Sequence, residues 1–319
     1  MPNPTHPLRG YLYIAGAALF WGISATLGRA AFTGRLLPSG KALGAIDPLI
    51  LSQSRTTISF LVLLTVLALR RGWRELRVPT AALVRLLLLG VVGVAASNYF
   101  YYLAIQRTSV ATAIIVQYTA PIWVLLYMVV RGIQRPTLAR VGAVVLALSG
   151  IALVIGIFNA DGLRLNPVGV AAALTAALAF AFYNVAGHKV LAAYDRWTVL
   201  LYTAMFAGLF WMVINPPWKV VAAHYSGAQW IFLAVFSMLS TLVPFAFYFA
   251  GLQHLDPTRA IVVSCLEPVF SILIAALVLG ELLRSTQVLG MGMVLAAIIV
   301  AQLPRANEDK SLVVCAPVD

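Results

Sequence analysis

The sequence predicts an all-α integral membrane protein whose ten transmembrane helices form two inverted five-helix repeats around a central cavity. Of the 319 residues, 62% are hydrophobic and only 10% are charged, whereas a soluble domain carries roughly 25% charged residues. Apolar runs of the length that spans a bilayer, about 20 residues, recur along the whole chain. The runs do not alternate with period 2, so helices and not a barrel are expected to satisfy the backbone hydrogen bonds.

The ten predicted spans are separated by proline, glycine or clusters of charge, which are the expected helix stop signals. In chain order they are Tyr11–Phe32, Pro48–Leu69, Ala81–Ala104, Ser109–Val130, Leu138–Phe158, Pro167–Val190, Thr198–Ile214, Ala228–Leu252, Thr258–Leu279 and Thr286–Leu303. We predict a first repeat over residues 1–158, a second over 159–303 and a cytoplasmic tail over 304–319.

The distribution of positive charge predicts the orientation. With the N-terminus in the cytoplasm, the inner segments hold twelve lysines and arginines and the outer segments six, as the positive-inside rule expects. Both termini are therefore predicted to be cytoplasmic, in a bacterial-type inner membrane. This arrangement also explains the net charge of +12 without nucleic-acid binding. The first apolar run is too long for a typical signal sequence and is interpreted as an uncleaved first span.

The two halves of the chain resemble each other. The segment YYLAIQRTSVATAIIVQYTAPIW, residues 101–123, aligns without a gap to YFAGLQHLDPTRAIVVSCLEPVF, residues 248–270. Tyr101 aligns with Tyr248, and Pro121 aligns with Pro268. Because the repeat unit has five helices, the second copy enters the membrane from the opposite side. Inverted repeats of this kind allow a transporter to expose one central site to each face in turn.

Two segments resemble a known family. ALFWGISATLGR at residues 18–29 resembles the opening of an EamA-type repeat, and EPVFSILIAALVLGELLRSTQVLGMGMVLAAIIV at residues 267–300 resembles its closing segment. The chain is thereby identified as a member of the drug/metabolite transporter superfamily over about residues 10–303. The resemblance implies ten helices in two inverted repeats, and a cavity that the first, third and sixth spans line. From the symmetry of the repeats we predict that the fourth, eighth and ninth spans line this cavity as well.

One position departs from the family pattern. The family usually carries a glutamate thirteen residues after the proline in both halves. The second half has it, with Glu281 after Pro268, but Gln134 stands at the matching position after Pro121. The departure puts a symmetric structural role for this glutamate in doubt. The aromatic third span and the Tyr-Asn pair of the sixth look most like amino-acid exporters of the aromatic amino-acid type.

The prolines and one carboxylate are candidate mechanistic residues. Pro121 and Pro268 would each interrupt a helix, free a carbonyl and act in gating, or form static kinks packed by neighbours. Glu267 lies well inside the ninth predicted span, where a charge costs at least about 2.5–3.5 kcal/mol. It would bind a substrate ammonium or exchange a proton, or else pair with Arg55 for structure alone. For Arg55 itself, the sequence favours a side chain that reaches the outer surface.

A mostly apolar pocket with a few polar groups is the usual design of a small-ligand site. Aromatic and polar side chains well inside the predicted spans supply such a set, although each aromatic is also a candidate for simple packing. The predicted substrate-binding residues are Trp21, Ser24, Tyr99, Tyr102, Gln117, Phe180, Asn184, Tyr248, Ser264 and Glu267. We predict no catalytic residue, no metal site and no cofactor.

These residues favour a secondary transporter that exports amino acids or similar small metabolites by alternating access. No GxxxxGK[ST] motif for ATP, no HExxH motif for zinc and no GxSxG nucleophile motif is present in the sequence. Two alternatives stay open: an exporter of hydrophobic or quaternary cations, which Glu267 and the aromatic rings would attract, and a membrane-embedded lipid-modifying enzyme. The expected partners are the small-molecule substrate and membrane lipid, with monomer or homodimer left open.

Overall fold

A computed structural model describes residues 6–33, 46–72, 76–108, 110–156, 166–279 and 284–302. Within these ranges every regular element is a helix. We number the helices α1 Pro7–Thr33, α2 Pro48–Arg71, α3 Thr80–Arg107, α4 Val110–Gln117, α5 Ala120–Val130, α6 Leu138–Ile155, α7 Pro167–Ala193, α8 Arg196–Ile214, α9 Pro217–Ala222, α10 Gly227–Leu252, α11 Pro257–Ser264, α12 Leu266–Leu279 and α13 Ser285–Gln302.

The helices begin where short polar side chains cap them. Asp47 accepts hydrogen bonds from the first backbone amides of α2, with 2.7 Å between Asp47 Oδ1 and Leu49 N. Asn166 caps α7 and Asp256 caps α11 in the same way. In all three helices a proline fills the first position, where its missing N–H costs nothing. Several of the few polar residues in the chain are thus used to start helices.

Eight helical stretches of the described chain are long and apolar enough to cross a membrane. α4 with α5 forms one of them over Thr112–Val130, and α11 with the first part of α12 forms another over Pro257–Ile274. α1 and the shorter α13 are further apolar helices. The described chain therefore has the architecture of an α-helical integral membrane protein, and the ten-span count stays a prediction.

The surface of the bundle is also that of a membrane protein. Large aliphatic side chains are exposed on most of the long helices, including Leu69, Val145, Val213 and Leu277, which are 82%, 56%, 79% and 84% exposed. A soluble protein rarely exposes so much contiguous apolar surface. These side chains are expected to face the hydrocarbon chains of the lipid bilayer.

Helix packing crosses between the two halves of the chain. α1 packs against α10, α11 and α12, whereas α7 packs against α3, α4 and α5. α2 packs against α8, and α6 packs against α13. The core is therefore built from contacts between the halves, and a residue on α1 or α7 lies beside helices from the opposite half.

One crossing depends on glycine. A Cβ atom at Gly290 of α13 would lie 2.6 Å from the carbonyl oxygen of Gly150 on α6, and a Cβ at Gly150 would lie 2.7 Å from the carbonyl oxygen of Gly290. Two backbones can approach this closely only where neither residue has a side chain. The pair holds α6 and α13 together at backbone distance.

Both α3 and α10 contain a π-helical segment, over Leu89–Ala96 and Met238–Leu242. Such segments shift the register of the backbone hydrogen bonds and are frequent at functional sites. In α10 the carbonyls in and beside this segment accept bonds from side chains of other helices: Ser24 bonds to Leu239, and Ser59 bonds to Ser237.

Candidate functional site

Buried polar side chains meet in the interior where α7, α10 and α11 approach one another. The Tyr248 hydroxyl donates a hydrogen bond to Asn184 Oδ1, and Asn184 Nδ2 donates to the Phe180 carbonyl oxygen at 2.8 Å. The Ser264 hydroxyl donates to the Ile261 carbonyl oxygen at 2.8 Å and lies close to Tyr248. Tyr248 and Asn184 are fully buried. Since buried polar groups are costly without partners, these bonds hold the side chains in one arrangement.

Aromatic rings surround this polar group. The Trp21 ring of α1 lies 5.3 Å from the Tyr248 ring and 5.4 Å from the Phe245 ring, measured between centroids. The Phe180 ring lies 6.4 Å from Tyr248, and Tyr183 stacks at 6.3 Å. The interior thus combines apolar ring surfaces with a few oriented polar atoms, as small-molecule sites do.

Glu267 lies in the first turn of α12. All residues from Ala260 to Val269 are buried except Glu267, which is half-buried. Its carboxylate is within hydrogen-bonding reach of the Tyr118 hydroxyl, and its charge is close enough to be affected by that of Arg55. A carboxylate inside a membrane bundle needs such partners or a polar cavity.

The two aligned prolines lie just beyond helix interruptions. α4 ends at Gln117 and α5 begins at Ala120, directly before Pro121. α11 ends at Ser264 and α12 begins at Leu266, two residues before Pro268. A gating role for the prolines stays a prediction. Tyr118 lies in the first interruption and Glu267 lies just after the second, and these two residues interact.

Ser24 lies near this centre but uses its hydroxyl elsewhere. The hydroxyl shares its single proton between the Phe20 carbonyl oxygen, 2.7 Å away within α1, and the Leu239 carbonyl oxygen, 3.1 Å away on α10. Ser24 is buried. In this arrangement it joins α1 to the π-helical segment of α10.

Two of the predicted site residues, Tyr99 and Tyr102, have their described ring contacts outside the Tyr248 group. The Tyr99 ring packs against Phe210 at 6.3 Å and against Trp211 at 6.5 Å, both on α8. Tyr102 packs beside Tyr101 at 5.9 Å. Gln117 is half-buried at the end of α4. The structure therefore brings Trp21, Phe180, Asn184, Tyr248 and Ser264 together, with Ser24 and Glu267 on neighbouring turns.

The expectation that Arg55 reaches the outer surface is wrong. Arg55 Nη2 donates to the Ser240 carbonyl oxygen at 3.0 Å, and Nε donates to Thr241 Oγ1 at 3.2 Å. Both acceptors lie in the π-helical segment of α10, well inside the bundle, where Ser240 is fully buried. Helix–helix contact has overridden the short path to the surface that the position in α2 suggests.

Arg55 belongs to a small polar pocket that the sequence reasoning missed. The pocket is lined by Ser52, Arg55, Thr56, Val94, Asn98, Thr241 and Phe245. A signal for it exists in the sequence, because SQSRTT at residues 52–57 is a run of six polar residues inside an otherwise apolar span. Polar residues inside a membrane helix face the bundle interior or a cavity.

No group of three or more histidine, cysteine, aspartate or glutamate side chains suited to a metal ion occurs in the part of the chain that the structure describes. The site is made of rings, hydroxyls, amides and two opposite charges. Such groups are of the kinds that line small-molecule sites.

Known proteins are similar to this chain in sequence and in fold. The EamA-like transporter family matches residues 8–156 and 167–302. The uncharacterized inner membrane transporter YicL of Salmonella typhimurium is 25% identical over 228 residues, which cover 71% of this chain and 75% of YicL. The threonine/homoserine exporter RhtA of Escherichia coli K12 is 28% identical over 248 residues, 77% of this chain and 80% of RhtA.

A crystal structure of another protein has the same fold. It is 22% identical in sequence and superposes with a TM-score of 0.74, covering 93% of this chain and 97% of that chain. The helical membrane architecture and the family match together define the class, a multi-pass membrane transporter. The chain belongs to the EamA-like transporter family, within the drug/metabolite transporter superfamily.

Proposed function

We propose that this protein is a secondary transporter that exports amino acids or similar small metabolites across the inner membrane by alternating access. The observation that carries the proposal is the buried group around Tyr248, Asn184 and Glu267, in which aromatic surface and oriented polar atoms lie inside a transporter fold. The name of RhtA as a threonine/homoserine exporter supports amino acids as the substrate class.

The proposal includes ten spans in two inverted repeats, residues 1–158 and 159–303, with the tail beyond. The packing of each half's first helix against helices of the other half supports this symmetry. α1 contacts α10, α11 and α12 as α7 contacts α3, α4 and α5, so the first helix of each half packs on corresponding helices. The π-helical segments of α3 and α10 and the interruptions before Pro121 and Pro268 also occur in both halves.

Alternating access follows from this arrangement if the two halves rock about the shared interior. The interruption at Tyr118–Thr119 lies between α4 and α5, and the interruption at Cys265 lies between α11 and α12. These are the points at which the two spans bend during the transport cycle. Replacing Pro268 with alanine should let α11 and α12 join into one helix and slow transport, while the protein still folds. Counterflow rates of the variant and the wild type, compared at equal protein amounts, test this. An unchanged rate would remove Pro268 from the gating role.

The transport function is tested by counterflow in proteoliposomes. Vesicles preloaded with an unlabelled amino acid should take up the labelled amino acid transiently, and no ATP is required. The panel comprises threonine, homoserine, the aromatic amino acids and one quaternary cation such as tetraphenylphosphonium. Uptake of the cation alone would favour the exporter of hydrophobic cations. Folded protein that exchanges none of these compounds would contradict the proposal.

A further inference from the structure

Arg55 is a half-buried cation whose described contacts include no full negative charge to balance it. Its guanidinium bonds to one carbonyl and one hydroxyl, and its carbon Cζ lies 5.8 Å from the centre of the Phe236 ring. Among the described residues no carboxylate lies within ion-pair distance of it. Dipoles and a ring face compensate a guanidinium only in part, and a cation in a membrane interior normally has an anionic partner or a water-filled cavity.

Exposure distinguishes Arg55 from its neighbours in α2. Ile50, Leu51, Ser52, Gln53, Ser54 and Thr56 are all buried, whereas Arg55 is half-buried. It lines the pocket together with Asn98, Thr56 and Thr241. Arg55 is therefore the one half-buried residue between Ile50 and Thr56, and it lines the pocket.

Glu267 repeats this pattern with the opposite charge. It is the one accessible residue between Ala260 and Val269, its carboxylate is held by Tyr118, and its charge interacts with that of Arg55 across a gap that no ion pair closes. The pocket beside Arg55 has a volume of about 10 Å³, the space of one water molecule, so a molecule that carries both charges enters between Arg55 and Glu267 only when the two halves move apart.

The two charges are linked by a continuous set of contacts. Phe245 lines the pocket of Arg55, and its ring packs against Trp21. Gly22, next to Trp21, lies so close to α12 that an added Cβ would be 3.2 Å from the Glu267 carbonyl oxygen. Trp21 and Phe245 therefore form an apolar surface beside the pocket of Arg55, and Gly22 brings this turn of α1 against the backbone of α12 at Glu267.

We propose that Arg55 binds the carboxylate, and Glu267 with Tyr118 the ammonium, of a zwitterionic α-amino acid whose side chain lies against Trp21 and Phe245. This assignment rests on the transport function proposed above and names the substrate class of that site. The planar guanidinium fork suits a carboxylate, and charge-assisted bonds on both ends distinguish an amino acid from a simple amine or acid. The bound zwitterion neutralises both charges at once.

The first test varies the ligand and leaves the protein unchanged. Binding of labelled threonine to purified protein in detergent is measured in competition with threonine, with its amino alcohol threoninol, and with the hydroxy acid 2,3-dihydroxybutyrate. Each analogue lacks one pole, and each should compete at least about tenfold more weakly than threonine, since a charge-assisted bond is lost. Equal competition by threoninol would overturn the role of Arg55, and equal competition by the hydroxy acid would overturn the role of Glu267.

The second test assigns each pole to a residue. In Arg55→Gln the preference for threonine over threoninol should disappear, whereas Arg55→Lys should keep part of it. In Glu267→Gln the preference for threonine over the hydroxy acid should disappear. Arg131→Gln, at the exposed end of α5, is the matched control and should retain both preferences.

The outcomes separate the two proposals. Wild-type protein that binds or exchanges no amino acid contradicts the transport function and this assignment together. Protein that transports threonine but retains its preference over threoninol in Arg55→Gln contradicts the assignment alone. If Arg55→Gln does not fold, the ligand series on the wild type and the Arg55→Lys variant still decide the point.

Discussion

At the residue scale, the hydroxyl of Tyr248 satisfies a buried acceptor, because both Tyr248 and its hydrogen-bond partner Asn184 are fully buried. Tyr248 donates to Asn184, whose amide is in turn bound to the carbonyl of Phe180. A neighbouring tyrosine provides the contrast. The hydroxyl of Tyr183 is buried in the same cluster and has no hydrogen-bond partner among the described residues.

These two tyrosines give a matched pair of variants. Tyr248→Phe leaves Asn184 Oδ1 without its donor and should destabilise the protein by about 1 kcal/mol, and it should also reduce threonine counterflow. Tyr183→Phe removes a hydroxyl that has no partner, so its stability should be equal to or greater than that of the wild type. Thermal unfolding in detergent and counterflow measure both effects. A larger loss of stability in Tyr183→Phe than in Tyr248→Phe would contradict this interpretation.

His254 lies between the predicted eighth and ninth spans, where α1 packs against this turn. Burial is the main cause that lowers the pKa of His254, and the positive charges of His6, Arg9 and Arg196 lower it further. Its Nδ1 atom is buried without a partner among the described residues, and the ring stacks on Tyr13 at 6.3 Å. The folded protein therefore favours the neutral imidazole.

A lowered pKa has a defined effect on stability. The unfolded chain takes up the proton first, at the usual histidine pKa of about 6.5. The contribution of neutral His254 to stability is thus present above that pH and is lost as the pH falls below it. His254→Asn should reduce the loss of thermal stability between pH 8 and pH 5. The exposed His224, replaced in the same way, is the control. Equal pH dependence in His254→Asn and the wild type would show that His254 does not contribute.

At the scale of elements, the α6–α13 contact depends on Gly150 and Gly290, which have no side chain to separate the two backbones. Gly290→Ala should destabilise the protein by about 1–3 kcal/mol, because the new methyl group meets the backbone of α6, which cannot move aside easily. Gly292→Ala on the same helix adds a methyl group where nothing lies within 4 Å. Its stability should be unchanged or slightly raised, since alanine favours the helix. Thermal unfolding in detergent separates the two, and an equal effect of both variants would contradict the close approach.

At the scale of the whole molecule, the orientation remains a prediction from charge. We expect a membrane-impermeant maleimide to label Ala222→Cys on intact cells and to leave Ile133→Cys unlabelled, because the first lies in a predicted outer segment and the second in a predicted inner one. Both side chains are exposed. Cys315→Ser is the background for both variants, and the buried Cys265 is retained. Labelling of Ile133→Cys alone would reverse the assigned orientation.

Much of the architecture was accessible from the sequence because it depends on local chemistry. Apolar runs of membrane-spanning length predicted the helices, and within the described ranges every regular element is a helix, most of them apolar. The Asp-Pro and Asn-Pro pairs at positions 47–48, 166–167 and 256–257 mark helix starts, because a capping side chain and a proline both act on the nearest backbone amides. The family resemblance is likewise confirmed by the match to EamA-like transporters.

Tertiary structure decided which side chains meet. The sequence places Arg55 eight residues into α2 and cannot say whether its side chain reaches outwards to water or inwards to α10, because the side chain is long enough for either path. The contact between Tyr248 and Asn184, separated by 64 residues, depends in the same way on how α7 and α10 pack. Hydropathy and capping depend on residues close in the chain, whereas a binding site depends on the relative rotation of distant helices, which only their packing determines.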